Sequence, residues 1–254
     1  MIRLPTAFVK IPLAHRGLHD VADGRPENSR ASIRAAMAAG YGIEIDLQLS
    51  ADGQAMVFHD YQLNRLTRET GAVRLRTAAE LADIELIGAA EGIPTLEQVL
   101  ALVDGQVPLL IEIKDQDGAM GTDVGPLEAA AAAAIAHYKG PVAVMSFNPN
   151  SVAEMARIAP TVARGIVTGA YIPEEEPFSA DICDVLREIP DYERTGSAFI
   201  SHEDRDLSRP RVAELKAAGA RILCWTIKSP EQEAKARRIA ENITFEGYCA
   251  ALPA

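Results

Sequence analysis

The pattern that most constrains this chain is an end-to-end alternation of short apolar runs with stretches of helical period. Eight runs of strand character begin near residues 11, 42, 107, 142, 162, 198, 221 and 243. The segments between them carry helix-opening caps, helical spacing of apolar residues or closing glycines. Such alternation builds a parallel sheet, because parallel neighbours need a crossover and a helix is the usual one. Eight units in 254 residues fit a TIM (β/α)8 barrel, which takes about 250. The other arrangement, a doubly wound open sheet, usually has fewer strands and often a Gly-rich phosphate loop after the first. Neither G-x-G-x-x-G nor a Walker motif occurs here.

One apolar run stands outside the count. Residues 54–58 follow the second strand after only Ser50-Ala51-Asp52-Gly53. Four residues cannot make a parallel crossover, and Asp-Gly is a hairpin signal. The run therefore pairs antiparallel with its predecessor or lies outside the main sheet. Residues 61–92 are poorly patterned, apart from a short helix opened by a Thr77…Glu80 capping box. The expectation is a single barrel domain over 1–254 with a small insertion, 48–92, after strand two. Asn28 is placed to N-cap a helix through Ile33 and Met37 that Gly40 closes. Thr95 and Gln98 open another, ending near Gly105, and residues 230–240 read as the helix before the last strand. The six alanines at 129–134 read as close helix packing.

Composition narrows the partners. With 48% hydrophobic residues the chain can bury a large core, and its net charge of -11 argues against nucleic acid and anionic membrane surfaces. The N-terminus lacks the apolar stretch of a signal peptide, and no apolar run approaches the ~18 residues of a membrane span. Cys183, Cys224 and Cys249 are far apart and match no zinc spacing, which points to buried thiols in a reducing compartment. A cytoplasmic protein without stable membrane association is expected.

Chemistry concentrates at strand ends. In Gly42-Ile43-Glu44-Ile45-Asp46-Leu47, Glu44 and Asp46 share one face and the aliphatic residues the other. Glu112 and Lys114 end the third strand, His15-Arg16 the first, Ser146 the fourth, Ser201-His202 the sixth, Trp225-Thr226 the seventh and Glu246 the eighth. Barrel active sites are built at this carboxyl end. Glu44, Asp46 and Glu112 offer oxygen donors suited to a hard divalent cation, Mg²⁺ or Ca²⁺. The competing reading pairs these acids with Arg16, Lys114 and other basic residues. His15 and His59 are the proton-transfer candidates, since histidine titrates near neutral pH. Asp60 either orients His59 or caps a turn. Arg16 and Lys114 suit a phosphate, and Trp225 either belongs to the core or walls a substrate pocket. His19 lies in a loop, His137 near a helix C-terminus, and His202 ends a strand on the functional face.

The strings His15-Arg16-Gly17, Pro26-Glu27-Asn28-Ser29, Glu44-Ile45-Asp46, Phe58-His59-Asp60 and Glu112-Ile113-Lys114 resemble, in order and spacing, the glycerophosphodiester phosphodiesterases. The likeness is strongest over residues 12–114 and continues through Ser146-Phe147 and Trp225-Thr226. It implies a TIM barrel with a small insertion after strand two. It also implies hydrolysis of a small-molecule glycerophosphodiester to glycerol 3-phosphate and an alcohol. By resemblance, Glu44, Asp46 and Glu112 hold the divalent cation, His15 and His59 act as general acid and base, and Arg16 and Lys114 hold the phosphate. Glu27 binds metal or positions its loop. The last strand departs from the family's Thr-Asp ending before a proline, reading Ile243-Thr244-Phe245-Glu246-Gly247, which bears on the substrate-facing wall. The alternatives are a related barrel acting on a non-standard diester or releasing a cyclic phosphate, and a non-catalytic ligand-binding barrel.

Overall fold

The structure is a computed structural model and describes residues 2–253. Eight parallel strands close into a barrel: β1 (Leu13–Ala14), β2 (Gly42–Leu49), β4 (Leu109–Ile113), β5 (Val142–Ser146), β6 (Ala163–Thr168), β7 (Phe199–Glu203), β8 (Arg221–Ile227) and β9 (Asn242–Phe245). The sheet closes where β1 pairs with both β2 and β9, through Leu13↔Gly42 and Leu13↔Thr244. The fold is the TIM barrel. The additional strand, β3 (Ala55–Val57), runs antiparallel to the end of β2 with Leu47 opposite Val57. The Asp52-Gly53 turn makes that reversal: Gly53 takes φ +79° and the Ser50 N–H donates to the Gln54 carbonyl at 3.0 Å.

The helices are α1 (Ala7–Lys10), α2 (Arg30–Ala38), α3 (Ala78–Asp83), α4 (Leu96–Val103), α5 (Pro126–Ile135), α6 (Pro149–Ile158), α7 (Ala180–Arg187), α8 (Pro210–Ala217) and α9 (Pro230–Ala236). Both capping boxes form, Thr77/Glu80 on α3 and Thr95/Gln98 on α4. No helix among the described residues is long and apolar enough to cross a membrane.

Strand alternation separates two environments. On β2, Ile43, Ile45 and Leu47 join the core between barrel and helices, with Val99, Leu127 and Ile111. Inside the barrel, Leu13, Leu110, Ala143, Phe199 and Leu223 form an apolar layer sealed by Phe8 of α1. The interior positions nearer the carboxyl ends of the strands are polar, and these form the site. The segment after β2 carries a small core of its own: Met56, Phe58, Leu63, Leu66, Val73, Leu81, Leu86 and Ile93.

Four local expectations change. Ser29, not Asn28, caps α2, accepting from the Ser32 N–H, while Asn28 turns left-handed with φ +57°. The first strand is short, because Arg16 leaves extended geometry at φ +54°. Helix α9 stops at Ala236, short of residue 240. Cys183 and Cys224 are buried, but Cys249 is exposed.

Candidate active site

Three carboxylates converge inside the barrel mouth. Glu44 and Asp46 lie two apart on β2, and the β2–β4 register sets Glu112 opposite Asp46. They are 1%, 1% and 6% exposed. One oxygen from each lies within 4.8 Å of the others. The cations beside them are fewer. Lys114 Nζ donates to Asp46 Oδ1 at 2.8 Å and bonds Glu112. The Arg16 guanidinium lies between Asp46 (Nε to Oδ2, 3.3 Å) and Glu27 (Nη1 to Oε1, 2.8 Å). Glu44 is left with the Arg16 backbone N–H, at 3.0 Å.

The acids divide accordingly. Burial, then the charges of Asp46 and Glu112, pushes Glu44 well above the usual carboxylate range. Burial also raises Glu112, against the opposing effect of Lys114. Burial alone would raise Asp46 too, but Lys114, His59 and Arg16 hold it far below its ordinary value. Two cations, one of them shared with Glu27, do not compensate three buried carboxylates. The set fits a hard divalent cation, which takes oxygen donors and supplies the missing charge.

The His-Arg-Gly turn aims the backbone at this cluster. Arg16 and Gly17 are both left-handed, at φ +54° and +79°. A Cβ on Gly17 would fall 2.5 Å from Ser32 Oγ and 2.8 Å from the Ser32 carbonyl carbon, so only glycine lets the turn pack on α2. Asn28, also left-handed, donates from Nδ2 to Asp46 Oδ2 at 2.9 Å and accepts from the Asp46 N–H at 3.2 Å. This clamp orients Asp46, and sequence reasoning missed it.

Each candidate histidine is backed by a carboxylate. His15 Nδ1 lies 2.6 Å from Glu246 Oε2, and His59 Nδ1 lies 2.6 Å from Asp60 Oδ1. A carboxylate only accepts, so it fixes the proton on Nδ1 and leaves the Nε2 lone pair available. His15 Nε2 stands 4.0 Å from Glu44. Burial lowers the pKa of His15, opposed by its bond to Glu246. Burial and then Lys114 lower that of His59. Both shifts favour the neutral ring.

The second dyad is braced from outside. Arg65 donates to Asp60 (Nε to Oδ2, 2.6 Å) and grips Glu27 with two bonds of 2.8 Å. A chain of charge thus runs from Arg16 through Glu27 and Arg65 to Asp60 and His59. Glu27 serves as its junction and is not among the clustered metal-competent oxygens. Arg65 gave no sequence signal: it sits in the poorly patterned stretch, and its role exists only once that stretch folds back. Gln48 Nε2 donates to the His59 carbonyl at 2.9 Å and ties the fold-back to β2.

A cavity of about 170 Å³ is lined by His15, Arg16, Glu44, His59, Glu112, Lys114 and Trp225. Asp46 lies beneath it, bonded to Lys114. Trp225 donates from Nε1 to the Ser201 carbonyl at 2.9 Å and meets Phe147 edge-on at 5.5 Å. His202 is elsewhere: it is buried, bonded to Thr168 at 2.7 Å and facing Asp206. His19 approaches Glu246 at 3.6 Å and does not touch the acid cluster.

The family model described as the glycerophosphoryl diester phosphodiesterase family matches residues 15–242. YhdW of Bacillus subtilis is 28% identical over 232 residues, 88% of either chain. The glycerophosphodiester phosphodiesterase of Caldanaerobacter subterraneus is 33% identical over 165 residues, 61% of this chain and 65% of that one. Among solved structures, an Oleispira antarctica phosphodiesterase in complex with the product sn-glycerol-3-phosphate superposes with a TM-score of 0.77, at 25% identity over 94% of each chain.

Proposed function

The chain belongs to the glycerophosphoryl diester phosphodiesterase family, and we propose that it hydrolyses glycerophosphodiesters to glycerol 3-phosphate and an alcohol by a metal-dependent, two-histidine mechanism. Glu44, Asp46 and Glu112 hold a divalent cation, Mg²⁺ or Ca²⁺. When bound, the cation supplies charge for the phosphate oxygens and lowers the pKa of the attacking oxygen. Arg16 and Lys114, on the same wall, bind the phosphate. One imidazole takes the proton of the attacking hydroxyl through Nε2 as its bond to phosphorus forms. The other, protonated at Nε2 once the diester anion is bound, gives that proton to the alkoxide as the opposite P–O bond breaks. Glu246 and Asp60 hold the rings in the reactive tautomer, and Trp225 flanks the substrate.

The observation that carries this reading is the meeting of three buried acids, two cations and two carboxylate-backed imidazoles on one cavity. The product bound in the Oleispira antarctica relative supports glycerol 3-phosphate as the retained half.

The test is a panel of glycerophosphodiesters assayed with Mg²⁺ and with Ca²⁺, products identified by phosphorus NMR. Release of glycerol 3-phosphate, abolished by chelator and by His59→Ala, is expected. Full activity in Glu44→Ala would remove the metal assignment. A cyclic phosphate product would change the outcome class, and tight binding without turnover would make the barrel a ligand-binding module.

A further inference from the structure

Beside the 170 Å³ cavity lies a larger one, of about 550 Å³, which shares His59, Glu112, Lys114 and Phe147 with it. Its outer wall comes from three segments: Tyr61 after β3, Met120 after β4, and Pro177 and Phe178 after β6. These side chains, with Phe147, make the wall apolar.

The charged groups on that wall are already committed. Arg65 is bonded to Glu27 and Asp60, and Lys114 to Asp46 and Glu112. Asp60 holds His59 and Arg65. Asp115 is buried and accepts from Asn148 Nδ2 at 2.9 Å and from the Met120 N–H at 2.8 Å. The Tyr61 hydroxyl donates to the Asp115 carbonyl at 2.6 Å, leaving its ring as the contact surface. A small cationic alcohol would meet only carboxylates that already have partners, and would leave most of the space unfilled.

The inner cavity, walled by Arg16, Lys114 and the acids, suits the phosphate and a small polar arm. The larger apolar space begins at His59, one of the two proton-transfer groups. On the phosphodiesterase reading above, on which this inference rests, we propose that the outer cavity takes the leaving alcohol and that this alcohol carries a hydrocarbon chain. The alkyl group replaces water against Phe147, Phe178 and Met120 while its ester oxygen stays at His59.

The experiment is a homologous series of glycerophosphodiesters of ethanol, butanol, hexanol and octanol, beside the ethanolamine and choline diesters, with Mg²⁺. Burying one methylene changes a binding constant by up to about four-fold. kcat/KM is therefore expected to rise about two- to four-fold per methylene, and Phe178→Ser and Met120→Ser to flatten the slope. A flat series, or a choline diester outrunning the octyl diester, overturns the inference and leaves the diesterase standing. A second arm needs no turnover: titration calorimetry of octyl phosphate against ethyl phosphate on the Mg²⁺-loaded protein. Tighter octyl phosphate supports the cavity even if every diester is inert, in which case the hydrolase reading fails alone. Equal affinities overturn the cavity assignment.

Discussion

Glu246→Gln tests whether the carboxylate behind His15 is part of the catalytic machinery. The bond is 2.6 Å long and joins an imidazole that must carry positive charge once it has taken a proton. Hydrogen bonds to charged groups contribute about 1.5–3 kcal/mol. The Glu246 side chain is 21% exposed, so the lower part of that range applies, about 1.5–2 kcal/mol. If the bond strengthens only as the imidazolium forms, kcat falls about 10- to 30-fold and KM barely moves. The bond to Glu246 also raises the His15 pKa. Its loss shifts the acid limb of the kcat/KM profile to lower pH if His15 is the base. Metal affinity, read by calorimetry, is unchanged, because Glu246 lies outside the three-acid cluster. A kcat within two-fold of wild type and an unmoved pH profile would refute the reasoning.

Three further outcomes follow from the same geometry. Because His59 borders the outer cavity, it faces the leaving alcohol: His59→Ala is expected to lose about 10²–10⁴-fold on alkyl diesters and far less on a p-nitrophenyl diester, whose leaving group needs no proton; equal losses on both would exclude the acid role. Glu44 and Glu112, pushed up by burial, must shed protons to hold a cation, so Mg²⁺ affinity should rise with pH and binding should release protons; calorimetry in buffers of different ionisation enthalpy reads this, and a pH-independent affinity with no proton release counts against the site. Burial alone would raise Asp60, but Arg65 and His59 hold it down at about 2, below the ~3.9 of an unfolded chain. Its contribution to stability is therefore complete above that unfolded value and is lost as pH falls through about 2; the gap between the urea midpoints of Asp60→Asn and wild type should be full at pH 6, narrow below pH 4 and close only as pH falls to about 2, and a constant gap would refute the assignment.

Period and covalent spacing made much of this legible. The alternation along β2 separates Ile43 and Ile45 from Glu44 and Asp46 without reference to any other part of the chain. The Asp52-Gly53 turn forces residues 54–58 out of the barrel count. What stayed hidden depends on contacts between distant segments. Asn28 has the look of an N-cap, but Ser29 beside it caps equally well, and the left-handed turn that hands Asn28 to Asp46 is held by its N–H donating to the Arg16 carbonyl at 2.9 Å. Glu246 reads from sequence only as a polar strand end and as a departure from the family's last-strand pattern. Its role appears when closure of the barrel brings β9 beside β1, setting it against His15. His202 ends a strand on the catalytic face, yet Thr168 and Asp206 supply partners that turn it inward. The exposure of Cys249 follows from the chain leaving the barrel after β9, which no spacing rule anticipates.

The small core following β2 has a mechanical consequence. Phe58, Leu63 and Leu66 flank His59 and Arg65 in sequence and pack among themselves, separately from the barrel's two apolar layers. The segment thus forms a smaller packing unit, joined to the barrel by the short β2–β3 ladder, by Ala55 and Val57 in the barrel core, and by bonds such as Gln48 to His59 and Arg65 to Glu27. Opening of the smaller unit withdraws one imidazole, its arginine brace and the Tyr61 wall. Glu44, Asp46, Glu112 and His15 remain in the intact larger unit. Sub-global opening of this kind needs less free energy than complete unfolding. On warming, turnover should fail before the barrel melts, in a state that still binds its cation, and hydrogen exchange should show amides of residues 58–93 released ahead of those in β4–β6.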